Sequence, residues 1–298
     1  MFFNYITKLF PIFAHSTKTR IMAKKKKRPT IISLWIAFVI AIVSYVSGQS
    51  WMERDATPTI KEPEQTQPAT DAPLMEIPVM DTRKQGQVLH RTGYTLAYDQ
   101  KTRTPQWVAW ELTKKETQGK VERSNDFQPD PDVKGVKVVT KDYSHSGYDR
   151  GHMAPAADMK WSKKAMEESF YMSNICPQNH NLNTSDWGEL ENKSRQWARR
   201  YEKVHIVCGP IYNGKRKEYI GDHRVRVPDA FFKVILINHA KKQVALGFLF
   251  DNESGERPLT KYLTPVDHIE KLTGMDFFSA LPDELENRLE KEKLEELP

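Results

Sequence analysis

The chain has 298 residues, 39% hydrophobic and 28% charged, with two cysteines and a mean hydropathy of −0.65. That composition supports a packed domain of about 200 residues with appendages, and excludes collagen-like, disulfide-dense, wholly disordered and polytopic membrane classes. The formal net charge of +6 is unevenly spread: residues 1–51 carry eight Lys or Arg and no acid, 52–80 two bases and six acids, 81–282 32 bases and 26 acids, and 283–298 three and seven. A modestly basic middle permits a polyanionic partner without demanding one.

Lys24 to Lys27 and Arg28 directly precede an apolar run from Ile31 to Val46. A basic cluster ahead of such a run predicts a membrane-targeting helix over 31–48, either an uncleaved signal anchor or a signal-peptide core. Residues 1–30 then form a basic cytoplasmic N-terminus, of which 1–21 are untranslated if Met22 is the start. On this reading the remainder is membrane-anchored and faces the periplasm or the exterior, or is secreted after cleavage. Residues 49–80, rich in Pro, Thr, Glu and Gln, lack apolar periodicity and read as a disordered tether.

From 81 to 282 the pattern is mixed α and β. Val88–Asp99 and Trp107–Leu112 read as strands, with Tyr94, Leu96 and Tyr98 alternating. Ser162–Tyr171 reads as a short helix. Ser185–Glu202 reads as a longer one, with Ser185 and Asp186 as candidate caps. Lys203–Cys208 reads as a strand stopped by Gly209-Pro210, and Phe231–Ile237 with Gln243–Phe250 as a hairpin turning around Asn238–Lys242. The last stretch, 283–298, reads as an exposed charged helix with Leu285, Leu289, Leu294 and Leu297.

Chemistry concentrates between Tyr148 and Glu191. His152 lies in Asp149-Arg150-Gly151-His152, where Gly permits a tight backbone approach and Arg supplies a cationic fork. Asn174, Gln178, Asn179, Asn181 and Asn183 crowd amide oxygens into ten residues, and Glu191 follows Asn183 by about two helical turns. A neutral base, hard oxygen donors and arginines suit metal-assisted phosphodiester hydrolysis: imidazole is a base near neutrality, Mg²⁺ needs few protein oxygens, and Arg stabilises charge growing on phosphorus. His145 and His180 are rival bases. No Cys-x₂-Cys or His-Glu-x₂-His spacing supports a zinc site.

Asp-Arg-Gly-His with Met153-Ala154-Pro155-Ala156-Ala157-Asp158, then Ser173-Asn174-Ile175-Cys176-Pro177-Gln178, then Asn183, Trp187 and Glu191, resembles the DNA/RNA non-specific endonuclease family. These are the ββα-metal nucleases of the Serratia nuclease and endonuclease G type. The resemblance continues through Val207-Cys208-Gly209-Pro210, Val227-Pro228-Asp229-Ala230-Phe231-Phe232-Lys233 and Gly274-Met275-Asp276-Phe277-Phe278. It implies an α+β fold with a central antiparallel sheet flanked by helices, and a site resting on a β-hairpin and a helix.

It also implies roles. His152 is the general base, Asn183 the direct ligand of Mg²⁺ (with Mn²⁺ as a substitute), and Glu191 holds metal-bound waters. Arg123, ahead of Phe127-Gln128-Pro129-Asp130, matches an arginine that stabilises the phosphorane. Asn174 positions substrate or buttresses the metal loop, while Arg150 and Asp149 shape the site and Arg150 touches phosphate. The partners implied are DNA and RNA, gripped through phosphates with little base information, and the products carry 5′-phosphates. Two rivals stand beside this reading: a nucleic-acid-binding module without catalysis, and a phosphodiesterase acting on a small or lipid-linked substrate. Oligomeric state is open, a homodimer included, and Cys176 and Cys208 are either a disulfide or two buried thiols.

Overall fold

The computed structural model describes residues 74–298; the basic N-terminus, the targeting helix and the tether up to residue 73 lie outside the described residues. Thirteen strands follow in order: β1 (Val79–Met80), β2 (Gln87–His90), β3 (Thr95–Asp99), β4 (Thr104–Thr113), β5 (Asp149–His152), β6 (Ile175–Gln178), β7 (Lys203–Ile211), β8 (Tyr219–Ile220), β9 (Val225–Arg226), β10 (Ala230–His239), β11 (Lys242–Asp251), β12 (Leu263–Thr264) and β13 (Met275–Asp276). The α-helices are α1 (Lys163–Ser169), α2 (His180–Thr184), α3 (Asp186–Tyr201), α4 (Val266–Thr273) and α5 (Asp283–Lys291).

A seven-stranded antiparallel sheet, ordered β12-β11-β10-β7-β4-β3-β2, forms the centre. Successive side chains point to opposite faces. In β10, Phe231, Ile235 and Ile237 therefore join one core with Trp187, Leu190 and Trp197 of α3, while Phe232, Val234 and Leu236 join the other with Ile269 of α4 and Leu289 of α5. Both faces are covered, which is why β10 reads as an almost unbroken apolar run. Each fully buried large side chain contributes about 1.5–3 kcal/mol.

Several boundaries differ from the sequence expectation for physical reasons. The stretch 88–99 is a β2–β3 hairpin bent at residues 91–94, closed by the Arg91 N–H on the Tyr94 carbonyl (2.8 Å). β7 runs through Gly209 and Pro210 because a side chain at 209 would sit 2.4 Å from the Gln106 carbonyl oxygen, so Gly lets β4 and β7 stay close. Residues 79–80, assigned by composition to the tether, form β1 against β13. Ser162 caps α1 by accepting from the Ala165 N–H (3.3 Å). Ser185, by contrast, does not cap α3 with its side chain: its hydroxyl donates to the Asn181 carbonyl (2.5 Å).

The C-terminal stretch also needs correction. Its helix stops at Lys291, and Leu285 and Leu289 pack against the far-face core instead of lying exposed. Leu294 and Leu297 pack against the α3-side core, and Trp197 Nε1 donates to the Pro298 carbonyl (3.0 Å). Cys176 and Cys208 are free and buried, with no disulfide between them. No helix among the described residues is long and apolar enough to cross a membrane.

Candidate active site

The site sits on a separate two-stranded antiparallel ribbon, β5 paired with β6, in the register Gly151↔Cys176 and His152↔Ile175. Glycine is required at 151: a Cβ there would lie 2.2 Å from Gln178 Oε1 and 2.7 Å from its Cβ. His152 ends the strand facing inward. Trp187 Nε1 of α3 donates to its carbonyl (3.3 Å), fixing the backbone from beneath.

Two phenylalanines from distant segments wall the imidazole. Phe127 lies with its ring centroid 5.3 Å away, and Phe170 at 4.9 Å nearly edge-on. The guanidinium of Arg150 covers Phe127 at 4.3 Å, and that of Arg123 covers Phe170 at 4.9 Å. Burial, reinforced by the fields of Arg123 and Arg150, drives the His152 pKa down to about 3. The ring is therefore neutral throughout the physiological range. Its Nε2 is buried without a hydrogen-bond partner among the described residues.

Beside this box, α2 begins at the Asn179 cap, whose Oδ1 accepts from the N–H groups of Asn181 (3.0 Å) and Leu182 (3.3 Å). Asn183, one turn on, donates Nδ2 to Asp149 Oδ2 (2.9 Å), which also meets His180 Nδ1 (2.9 Å). The amide nitrogen is thus engaged and the amide oxygen is left as its donor atom. Asp149, Arg150 and Asn183 line a single cleft of about 320 Å³ together with Phe127, Tyr143 and Tyr148.

Glu191, farther along α3, makes no hydrogen bond to another described residue. Burial pushes its carboxyl up to about 7, with Asp158 adding to the rise and Lys233, Arg195 and Arg123 opposing it. The groups beneath it form a charge-balanced layer. Asp158 is buried and accepts from Arg195 (2.7 Å) and Trp110 Nε1 (3.1 Å), and the buried Lys233 stands 3.9 Å over the Trp187 ring.

The structure thus brings His152, Arg123, Arg150, Asn183 and Glu191 into one neighbourhood. Asn174 is different. It is fully buried, and its amide is engaged with Ala154 N, Ala154 O and Ser169 O, all at 2.9 Å. It braces the backbone behind His152 and has no face left for substrate, which corrects the expectation of substrate contact. The crowd of amides disperses likewise: Asn181 turns to Ser254 (3.0 Å), Gln178 is buried, and only Asn183 lines the cleft. Of the rival histidines, His180 is exposed and held by Asp149, and His145 sits in an exposed left-handed turn (φ 56°).

Sequence reasoning missed Phe127 as a wall, Lys233 as a buried charge, and Asn252. Asn252 is buried and ties Asn179 N (2.8 Å) to the carbonyls of Pro177 (3.1 Å) and Pro228 (3.0 Å), anchoring the start of α2. A lysine within the apolar run Phe231–Ile237 was the one visible signal among these.

Comparison with known proteins agrees with this arrangement. The model of the DNA/RNA non-specific endonuclease family matches residues 72–284. The chain belongs to that family. This nuclease is 37% identical over 205 residues to mitochondrial endonuclease G of Bos taurus, an alignment covering 64% of this chain and 69% of that one. It is 35% identical over 226 residues to the mitochondrial nuclease of Saccharomyces cerevisiae (68% and 69% covered), and 38% identical over 205 residues to the mitochondrial nuclease EXOG of Xenopus laevis (63% and 57%).

Among solved structures, the complex of EndoG with EndoGI, titled for the mechanism of EndoG inhibition, superposes on the nuclease with a TM-score of 0.63 at 31% identity. It covers 67% of this chain and 89% of the other. These relatives overturn the expectation of a membrane-anchored periplasmic or extracellular domain, or of a secreted one, because they are mitochondrial nucleases by name.

Proposed function

We propose that this nuclease hydrolyses internal phosphodiester bonds in both DNA and RNA, with a divalent metal, Mg²⁺ in the first instance, at Asn183. The observation that carries the reading is a histidine kept neutral in an aromatic box, with two arginines on the outer faces of that box and an amide oxygen in the adjoining cleft. The donor set fits the metal: Asn183 has its nitrogen engaged and its oxygen available, and Glu191 offers a carboxylate without a partner. Hard oxygen donors of this kind suit Mg²⁺, which keeps several of its waters. When bound, the ion would supply charge to the reacting phosphate and its leaving oxygen.

His152 accepts the proton of the attacking water. Nε2 is buried and has no partner among the described residues, so the lone pair on the other ring nitrogen, Nδ1, is the one that takes up the water's proton. Arg123 and Arg150, stacked and therefore held in place, neutralise charge growing on the phosphate oxygens. Glu191 orients water by accepting its hydrogen bonds. Grip through phosphate predicts breadth toward sugar and sequence.

The test is cleavage of supercoiled plasmid and of RNA by the purified chain, wild type against His152→Ala, in Mg²⁺ and in EDTA. General-base removal is expected to lower the rate by about 10²–10⁴-fold, and EDTA to abolish cleavage of both polymers. Undiminished cleavage by His152→Ala would overturn the role of His152. Full activity in EDTA would overturn the metal.

A further inference from the structure

On the face of the sheet opposite the nuclease site, five carboxylates gather around a cleft of about 460 Å³ where α4, β13 and α5 meet: Asp267, Glu270, Asp276, Glu286 and Glu290. One oxygen each from Asp267, Glu270 and Glu290 lies within 4.8 Å of the others. Glu290 is 95% buried by its 5% exposure, and its Oε1 has no hydrogen-bond partner among the described residues; the same holds for the buried Oε1 of Glu286. Buried carboxylate oxygens without a donor are costly to leave unmet.

The described residues do not supply the missing donors. Lys291 turns to Asn287 Oδ1 (3.3 Å), and neither it nor Lys271 forms an ion pair with these acids among the described residues. Glu270 uses Oε1 to accept from the Phe277 N–H (2.9 Å), which orients its other oxygen. The set contains oxygen atoms only, with no nitrogen or sulfur donor, and so selects a hard cation.

Coordination chemistry narrows the choice: carboxylates drawn from two separate helices suit the flexible, carboxylate-rich shell of Ca²⁺, whereas Mg²⁺ demands near-octahedral order and keeps several of its waters. We propose that Asp267, Glu270 and Glu290 form a second divalent-cation site, for Ca²⁺, that fastens the C-terminal helix α5 to α4 independently of the nuclease cleft. Asp276 and Glu286 border it and orient the waters that complete the coordination.

The experiment is calorimetric titration of Ca²⁺ into the full-length Asn183→Ala chain, in which the cleft lacks its proposed ligand. One bound ion is expected, with Mg²⁺ binding at least 10-fold more weakly. Glu290→Gln and, separately, Asp267→Asn in the same background should each weaken Ca²⁺ by at least 10-fold. Asp267 is only half-buried and provides the second variant should the substitution at Glu290 disturb folding.

In the otherwise native chain, Ca²⁺ at 100 times its Kd should raise Tm by about 5 °C or more, and Glu290→Gln should remove the rise while nuclease activity persists. Absence of Ca²⁺ binding in the Asn183→Ala chain would overturn the site, as would unchanged affinity in both acid variants. So would a Tm indifferent to Ca²⁺ that merely falls as pH rises, since the corner would then be held by a shared proton.

Discussion

The two faces of the central sheet treat buried charge in opposite ways. Beneath the nuclease site, Asp158 meets Arg195 and Trp110, Lys233 stacks on Trp187, and the layer carries cations and anions together. On the far face, five carboxylates share one cleft and two of their oxygens are buried without a partner. On the first face the anions and cations of the layer offset one another within the protein. On the second, the carboxylates form no ion pair with a cation among the described residues, which is why a cation from solution is their proposed partner.

The contrast is broken most severely by Arg195→Ala, which removes the ion-pair partner of the buried Asp158. A loss of about 3 kcal/mol is expected, or about 6–12 °C in Tm, and calorimetric unfolding measures it. Lys233→Met keeps the bulk of the side chain but removes a cation that lowers the Glu191 pKa. Glu191 then holds its proton to higher pH, so the acid limb of kcat/KM at subsaturating Mg²⁺ should move upward relative to wild type. An unmoved limb would show that Lys233 serves packing alone.

The two faces also predict opposite pH slopes of stability. The His152 pKa falls from 6.5 to about 3 on folding, so the unfolded chain takes up a proton that the folded chain refuses. Stability should therefore decline as pH drops from 6.5 toward 3, and His152→Phe should flatten that arm. Glu290 behaves inversely: burial beside Glu270 and Glu286 pushes its carboxyl up from 4.5 to about 9. In Ca²⁺-free buffer stability should decline as pH rises from 4.5 to 9, and Glu290→Gln should flatten that arm. Urea unfolding across pH 4–9 reads both.

Much of the site was legible because its polar groups lie in short linear motifs. Asp149 to His152 is itself a strand, and Asn183 and Glu191 fall on the two helices that follow its partner strand β6. The long hairpin of β10 and β11 was legible from its apolar runs, although its turn is tighter than expected, with His239 opposite Lys242. The rest depends on contacts between distant segments. Phe127 and Phe170 are ordinary aromatic residues until folding places them against His152. The amides looked alike in sequence, and only long-range hydrogen bonds separate the brace Asn174 from the cap Asn179 and the cleft residue Asn183. Leu285 and Leu289 show helical spacing, but nothing local reveals that the far-face core receives them.

The aromatic box around His152 has a spectroscopic consequence. With rings of Phe127 and Phe170 at 5.3 and 4.9 Å, ring currents should displace the imidazole carbon-bound protons from the other histidine signals in a proton spectrum. Because this ring does not titrate near neutrality, that pair of lines should also stay still as pH is varied through the neutral range. A stationary, displaced resonance would give a direct magnetic reporter of phosphate or metal arriving in the cleft, with no label attached to the protein.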